Sequence, residues 1–416
     1  MPKIIPFNGL LFNARKVAGS DVIAPPYDII SPEQKDALYS KSPYNIVRMD
    51  FGRDLPDDNE KSNRYTRAAA LLDNWVKEKI LVRDDEPAFY AYELDYRTAG
   101  LNKTLRGVFA LVEIVEPGKG VWPHEETRAK PKADRLEIMR HCMANLSPVY
   151  SIYNSSEKAT AGLLASVSGK PYISASDEDG TLHRLFRITD RAQTALISKE
   201  LSEMSIFIAD GHHRYEVALE FKKEMDRKTG RSDNSPRPWD YVMMFLADMS
   251  DSGITILPTH RMVKGISPSD ALFAKLAANF SITELPGNID ISREVMKAGK
   301  HVFGLYLGET HKWSLLKYRG GELKNVHPAL QALDVVILRE LILNLEAGIS
   351  DLAYEMSADE AVKKTETGSY DAVFVLNATG TGDIERVAAA GLRMPAKSTY
   401  FYPKLMTGMV INKFEL

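Results

Sequence analysis

The apolar positions of this chain change repeatedly between short continuous runs and longer segments with helical spacing. Residues 206–208 form a short apolar run with β-branched side chains, which is typical of a buried strand. Shortly afterwards apolar residues recur at helical spacing, at Val217, Ala218, Phe221 and Met225. Gly211 lies between the two patterns and permits a sharp turn. The sequence therefore predicts a strand, a tight turn and a helix around residue 211.

The same patterns predict helices and strands along the whole chain. The predicted helices are one opening at Ser31-Pro32-Glu33 and those at 63–79, 134–145, 158–167, 190–204, 268–279, 290–299 and 328–346. The predicted strands lie at 3–12, 88–96, 104–115, 149–153, 241–247, 254–257, 301–307, 312–318 and 371–376, with a hairpin over 171–188. Residues 226–239 are polar and predict a mobile loop.

This order of elements predicts an α+β or α/β fold with mixed sheets. We expect three portions: an α+β portion at 1–120, a core at 121–264, and an α/β portion at 265–416. Residues 155–200 stand inside the core as an insertion.

Composition then narrows the class of protein. The 416 residues are 44% hydrophobic and 26% charged, as in an ordinary globular protein, and the net charge of −3 argues against a broad nucleic-acid or membrane surface. Cys142 is the only cysteine, which excludes an intramolecular disulfide and a cysteine zinc cluster. No apolar run reaches about 18 residues and no signal peptide is seen, so we expect a cytoplasmic protein.

The strongest candidate for chemistry is the polar stretch after residues 206–208. Asp210 is predicted at the end of the strand or at the helix cap, and His212, His213 and Arg214 fall in the first helical turn. Free N–H groups and the positive end of the helix dipole attract phosphate there, and we expect Arg214 on the helix surface. Asp210 could hold a metal or orient an imidazole. The alternative is a capped helix with a solvated first turn.

These residues also carry a family resemblance. Asp-Gly-His-His-Arg after a strand resembles the signature of the ParB/sulfiredoxin-like fold, in its branch of free-serine kinases. The whole chain resembles the bacterial and archaeal family DUF1015. The matching pieces are Ile23-Ala24-Pro25-Pro26-Tyr27-Asp28, His124-Glu125 with Thr127, Asp134-Arg135, Asn145-Leu146-Ser147-Pro148, Pro258-Thr259-His260-Arg261 and Met394-Pro395-Ala396-Lys397-Ser398-Thr399.

The resemblance implies a catalytic base. The free-serine kinases carry a Pro-His-Glu whose Glu is the base, and here the match falls on Pro123, His124 and Glu125. The kinase interpretation places Glu125 and Asp210 around one pocket that also contains His213. In the small kinases these two motifs lie closer together, and the insertion at 155–200 means that the substrate does not transfer with the resemblance.

Further residues are candidates for binding. The resemblance suggests that a rigid loop presents Tyr27 and Asp28 to the pocket, beside His124 and Thr127; the alternative for Tyr27 and Asp28 is a turn with a packed ring. His260 and Arg261 follow a strand, where polar residues often line a crevice. Arg135 is predicted to contact either phosphate or a neighbouring acid. Lysines and hydroxyls near the C-terminus are predicted either to contact phosphate or to lie on a sheet-closing strand: Lys397, Ser398, Thr399 and Lys404.

Together these patterns favour a nucleotide-dependent phosphotransferase that acts on a small hydroxyl compound such as free serine. Gly211 to Arg214 would cradle phosphates, Asp210 would hold Mg²⁺ brought with ATP or ADP, Glu125 would be the base, and His212 and His213 complete the catalytic set. One alternative is a metal-dependent hydrolase with His124, Asp210, His212 and His213 as ligands. Another is a nucleotide-binding regulatory protein of ParB-like type with a protein or DNA partner, although the composition disfavours DNA. An oligomer is compatible with each interpretation.

Overall fold

A computed structural model describes residues 1–125, 129–230, 233, 235–321 and 323–415. The chain divides into two compact units. The larger unit comprises Met1–Pro123, Thr127–Thr255 and Pro403–Leu416, and the smaller unit comprises His124–Glu126 and Ile256–Tyr402. The chain thus leaves the larger unit twice, briefly after Pro123 and again after Thr255, and its last residues belong to the larger unit. The three portions predicted from the sequence stay a prediction.

The larger unit mixes short and long strands with helices in between. Its strands up to residue 248 are β1 (Ile4–Ile5), β2 (Leu10–Phe12), β3 (Leu81–Arg83), β4 (Phe89–Thr98), β5 (Leu101–Glu113), β6 (Val121–Trp122), β7 (Ala144–Asn145), β8 (Val149–Tyr153), β9 (Ile173–Ser176), β10 (Leu182–Ile188), β11 (Ile206–Asp210) and β12 (Tyr241–Asp248). Its helices are α1 (Gly19–Val22), α2 (Pro32–Lys41), α3 (Val47–Asp50), α4 (Arg64–Lys77), α5 (Ala129–Cys142), α6 (Ala159–Ser166), α7 (Arg191–Ser202) and α8 (His212–Thr229).

The rest of the chain forms the smaller unit and one returning strand. From residue 255 the strands are β13 (Thr255–Leu257), β14 (His260–Lys264), β15 (Phe280–Leu285), β16 (Val302–Leu307), β17 (Lys312–Tyr318), β18 (Asp351–Glu355), β19 (Ala372–Val375), β20 (Tyr400–Tyr402) and finally β21 (Asn412–Lys413). The helices are α9 (Ser269–Leu276), α10 (Ile291–Ala298), α11 (Pro328–Gln331), α12 (Asp334–Leu341), α13 (Ala358–Glu366) and α14 (Thr381–Ala389). Short 3-10 helices lie at Tyr27–Ile29, Pro238–Asp240 and Leu343–Leu345.

Within the described residues, nine strands of the larger unit form one mixed sheet. Their order is β6-β11-β8-β12-β5-β4-β10-β9, and β1 also pairs with β5. The pairs β6–β11 and β8–β12 are parallel, while the other pairs are antiparallel. Because β6 and β11 are parallel neighbours, with Val121 opposite Ile206, their carboxyl ends lie at one edge of this sheet.

The apolar pattern explains how helix α8 packs on this sheet. Its buried residues include Tyr215, Val217, Ala218 and Phe221, and they join the core formed by β8, β11 and β12. Every residue of β12 is buried, as expected for a central strand with both faces covered. The predicted helical face is therefore confirmed, and it fixes the start of α8 at the end of β11.

The smaller unit has its own sheet and core. In the part of this unit that the structure describes, six strands pair in the order β15-β17-β16-β19-β14-β18, all antiparallel. Helices α10 and α13 bury Ile291, Val295 and Ala361 in this core, together with Trp313. The prediction of mixed sheets with additional α/β portions is confirmed.

Some predicted elements need correction. The predicted helix at 328–346 is broken into α11, α12 and a 3-10 turn, because Leu333 takes an extended conformation and Asp334 accepts hydrogen bonds from the backbone and ring of His301. The predicted loop at 226–239 begins too early, since α8 continues to Thr229 and ends at Gly230 in the left-handed region. The helix predicted at 134–145 begins at Ala129 and ends at Cys142. Among the described helices, none combines the length and the apolarity that a membrane crossing requires.

Candidate functional site

The predicted strand, tight turn and helix are present in the larger unit. Strand β11 ends at Asp210, Gly211 has φ +88°, and α8 starts at His212. A Cβ atom on residue 211 would lie 2.9 Å from Nε of Arg214, so glycine is favoured both by the backbone and by the space beside it. The turn thereby lets the side chain of Arg214 fold back toward the end of β11.

Asp210, Arg214 and Lys404 form a charged triad at this junction. Oδ2 of Asp210 accepts from Nη2 of Arg214 at 2.8 Å, and Oδ1 accepts from Nζ of Lys404 at 2.9 Å. Arg214 also donates to the carbonyl oxygen of Pro148. This Asp210 triad places two cations on one carboxylate at a helix N-terminus, which suits an anion.

The expectation that Arg214 lies on the helix surface is wrong. Its side chain is 12% exposed, and that of Lys404 is 11% exposed. The physical reason is the Gly211 turn, which directs Arg214 to the carboxylate four residues earlier. His212 is buried as well, whereas His213 is half-buried.

A second charged cluster surrounds Arg135. This buried side chain pairs with Asp50 at 3.0 Å and with Asp134 at 2.8 Å. Its guanidinium lies over the ring of Tyr27, 3.8 Å from the centroid. Of the two predictions for Arg135, the structure favours the acid partner. Arg64 and Tyr65 bind the other side of Asp134, so the network extends to helix α4.

Burial shapes the ionisation of this cluster. It raises the pKa of Asp50, and the charges of Arg135 and Arg214 oppose that rise. Burial also raises the pKa of Tyr27 to about 12, and the charge of Arg135 opposes this rise as well. Tyr27 is therefore a packed, protonated ring over a cation, while Asp28 is exposed.

A small pocket lies between the Arg135 cluster and the Asp210 triad, wholly within the larger unit. Arg214 belongs to the triad and also lines this pocket. The remaining lining residues come from α3, α5, α8, β12 and the segment at 144–147: Asp50, Arg135, Ile138, Met139, Ala144, Asn145, Leu146, Ser147, Val217 and Val242. Asp50 and Ser147 were not predicted as site residues. The sequence signal for Asp50 is a carboxylate after Ile46, Val47 and Met49, three apolar residues of one short segment.

The smaller unit brings together another group of predicted residues. The carboxylate of Glu125 accepts a hydrogen bond from the backbone N–H of Lys397, and Nε2 of His124 lies 3.0 Å from Oγ1 of Thr399. Arg261 donates to the carbonyl oxygens of Lys397, at 3.1 Å, and of Thr259. The loop at 395–399 therefore connects Glu125 with Arg261. Thr127, also predicted, lies outside the described residues.

His260 and Ser398 have structural contacts. Burial, with a further contribution from Arg261, lowers the pKa of His260 to about 4, so its ring is neutral near neutral pH. Nδ1 of His260 lies 3.4 Å from the backbone nitrogen of Leu376, which donates to it. Ser398 is buried, donates to the carbonyl of Pro395 at 2.6 Å and accepts from Thr379 through its own carbonyl. These residues hold the ends of β14 and the loop at 395–399.

The predicted site residues are thus divided between the two units. Asp210 to Arg214, Arg135, Tyr27, Asp28 and Lys404 belong to the larger unit. His124, Glu125, His260, Arg261 and residues 397–399 belong to the smaller one. A common pocket for Glu125 and Asp210 stays a prediction.

Comparison with known proteins identifies the family. A family model described as a protein of unknown function, DUF1015, matches residues 4–336. The chain belongs to this family. No protein of curated function matches the sequence.

Solved structures of low similarity also match. A mutant free serine kinase in complex with ADP is 15% identical, with TM-score 0.38, and the match covers 71% of this chain and 87% of that one. A conserved hypothetical protein from Pyrococcus furiosus is 16% identical, with TM-score 0.37 and coverages of 72% and 92%. SbnI from Staphylococcus aureus is 10% identical, with TM-score 0.35 and coverages of 72% and 85%. At these scores the likenesses assign no activity to this chain.

Proposed function

We propose that this protein transfers a phosphoryl group from a nucleotide to a small hydroxyl compound, with free serine or a related hydroxy amino acid as the acceptor. The observation that carries the proposal is the Asp210 triad at the start of α8. One carboxylate orients two cations, Arg214 and Lys404, beside the N–H groups of a helix N-terminus. Phosphoryl transfer depends mainly on such positioning and charge stabilisation.

The triad supplies the phosphate-binding half of the reaction. Both cations are largely buried, so water screens them less than it would at the surface. Asp210 fixes the direction of both cations at the start of α8, where a phosphate would meet their positive charge. Charge-assisted bonds of this kind are worth roughly 1.5–3 kcal/mol each.

Glu125 is proposed as the general base on the strength of the Pro-His-Glu resemblance. It would accept the proton of the acceptor hydroxyl as the hydroxyl oxygen forms a bond to phosphorus and the bond to the nucleotide's bridging oxygen breaks. Within the larger unit, β6 and β11 end at the same sheet edge. Pro123 follows β6 there and Asp210 ends β11, so the residue before His124-Glu125 and the carboxylate of the triad belong to the same edge of the larger unit's sheet.

Mg²⁺ is expected to arrive with the nucleotide phosphates. Asp210 fits poorly as its direct ligand in this arrangement, because each of its oxygens already accepts from a cation. The same observation weakens the metal-hydrolase alternative that uses Asp210. Here Asp210 orients the two cations, and no step is assigned to a metal held by it.

Nucleotide binding and turnover test the two halves separately. Lys404→Met should weaken ADP or ATP binding about tenfold or more in calorimetry, whereas Lys413→Met, at a half-buried lysine paired with Asp73, should not. Glu125→Gln should lower turnover about 10²–10⁴-fold with nearly unchanged nucleotide affinity, whereas the exposed Glu116→Gln should not. Turnover is followed as ADP or AMP formation with serine and other hydroxy amino acids. Full activity in Glu125→Gln, or unchanged affinity in Lys404→Met, contradicts the proposal.

A further inference from the structure

Asp50 presents a buried carboxylate whose hydrogen bonding is incomplete. The residue is 3% exposed and lines the pocket beside Arg214. Its Oδ1 accepts from Nη1 of Arg135 at 3.0 Å. Among the residues that the structure describes, none donates to Oδ2. Because Asp50 lines the pocket, a donor bound there from outside the protein would complete the hydrogen bonding of its carboxylate.

The other wall of the same pocket carries hydrogen-bond donors. Oδ1 of Asn145 accepts from the backbone N–H of Met243 at 3.1 Å and from Nδ2 of Asn412 at 2.9 Å. Both bonds fix the orientation of this amide and leave its NH₂ group as a donor. The half-buried hydroxyl of Ser147 and the guanidinium of Arg214 line the same space.

The pocket therefore offers an acceptor on one side and donors on the other. A ligand carrying only positive charge would meet repulsion from Arg135 and Arg214, and a ligand carrying only negative charge would meet repulsion from Asp50. A small molecule with both charges satisfies both walls. The enclosed space of the pocket is only about 30 Å³, so it receives a small polar group such as an ammonium, while the rest of an amino acid would lie at the open mouth and a nucleotide does not fit inside.

We propose that this pocket binds a small zwitterion of the α-amino-acid class, with Oδ2 of Asp50 accepting from the ligand's ammonium group. Asn145, Ser147 and Arg214 receive the ligand's carboxylate. Arg214 thereby contacts both the pocket and the Asp210 triad, so the ligand is held next to the phosphate-binding residues. That the bound amino acid is the phosphoryl acceptor rests on the proposed function; recognition of the ammonium by Asp50 does not.

The wild-type protein alone tests this inference by calorimetry with matched ligands. L-serine carries hydroxyl, ammonium and carboxylate, glycerate lacks the ammonium, and ethanolamine lacks the carboxylate. We expect serine, or another member of a panel of hydroxy amino acids, to bind at least about tenfold more tightly than either analogue. Equal affinity for glycerate and its amino counterpart, or no binding by any amino acid of the panel, overturns the inference.

A pair of variants separates recognition from structure. Asp50→Asn keeps the shape and replaces an acceptor with a donor, so it should abolish the preference for serine over glycerate. Asp134→Asn also removes a carboxylate partner of Arg135, but Asp134 does not line the pocket, so this variant should keep the preference. If both variants lost the preference for serine over glycerate equally, Asp50 would act only through Arg135, and the inference would be wrong.

Turnover distinguishes this inference from the proposed function. If serine binds with the expected signature and no nucleotide is consumed, the Asp50 pocket stands and the phosphotransferase proposal fails. If nucleotide is consumed equally well with glycerate and with serine, phosphoryl transfer stands and ammonium recognition by Asp50 fails.

Discussion

Two arginines among the described residues are almost completely buried, yet their charges are balanced in different ways. Arg135, in the larger unit, is 6% exposed and pairs with the carboxylates of Asp50 and Asp134. Arg261, in the smaller unit, is 3% exposed. Within the described residues its hydrogen bonds go to the backbone carbonyls of Thr259 and Lys397.

The two environments shift the arginine pKa in opposite directions. Burial lowers the pKa of Arg261 to about 10, with only partial opposition from Tyr354 and Glu125. Burial also disfavours the charge of Arg135, but Asp50 and Asp134 outweigh it and the pKa is raised. Arg135 is thus a neutralised structural cation, whereas no carboxylate among the described residues contacts the positive charge of Arg261. Arg261 lies in β14 and donates to the carbonyl oxygen of Lys397, whose backbone N–H donates to Glu125.

The largest effect is expected from removing Arg135. Arg135→Met would leave Asp50 buried without its cation, and breaking one side of a buried ion pair typically costs about 3–5 kcal/mol. Urea unfolding should show this loss in the free energy of unfolding. The control is Arg140→Met on the same helix, where a more exposed arginine pairs with Glu137 and Glu224 and the cost should stay below about 1 kcal/mol. Similar losses in both variants would contradict the distinction.

The sequence predicts local elements better than it predicts these charge networks. Residues 206–229 carry a continuous pattern of strand, glycine and amphipathic helix, so the junction at Asp210 follows from neighbouring residues. The partners of the charged groups are distant: Asp50 precedes Arg135 by 85 positions, and Lys404 follows Asp210 by 194. Hydrophobic periodicity contains no information on such pairs. The sequence therefore does not decide whether Arg135 contacts an acid or a phosphate, and it does not identify Asp50 as a site residue.

His260 provides a test of intermediate size beside Arg261. Its unfolded pKa is about 6.5 and its folded pKa is lowered to about 4 by burial and then by Arg261. Above about pH 6.5 the His260 ring is neutral in both the folded and the unfolded chain, so its titration does not change the free energy of unfolding. As the pH falls toward 4, the unfolded chain binds a proton at His260 before the folded chain does. The free energy of unfolding therefore decreases, by about 3 kcal/mol in all.

His260→Gln should remove this part of the acid sensitivity of the smaller unit. The measurement is the urea unfolding free energy between pH 4 and 7, with His311→Gln as the control because His311 is exposed. An unchanged pH slope in His260→Gln would show that the ring takes up its proton equally well in the folded state.

The smallest change in stability is expected from Arg261→Met. Methionine fills a similar volume. In the part of the chain that the structure describes, the charge of Arg261 has no carboxylate partner, so its removal offsets the loss of two hydrogen bonds to carbonyls. The free energy of unfolding at pH 7 should therefore stay within about 1 kcal/mol of the wild type. Because the charge of Arg261 helps to lower the pKa of His260, the acid loss of stability should also shrink in this variant. A destabilisation as large as that of Arg135→Met would mean that Arg261 is neutralised by an anionic partner after all, and the contrast between the two arginines would be lost.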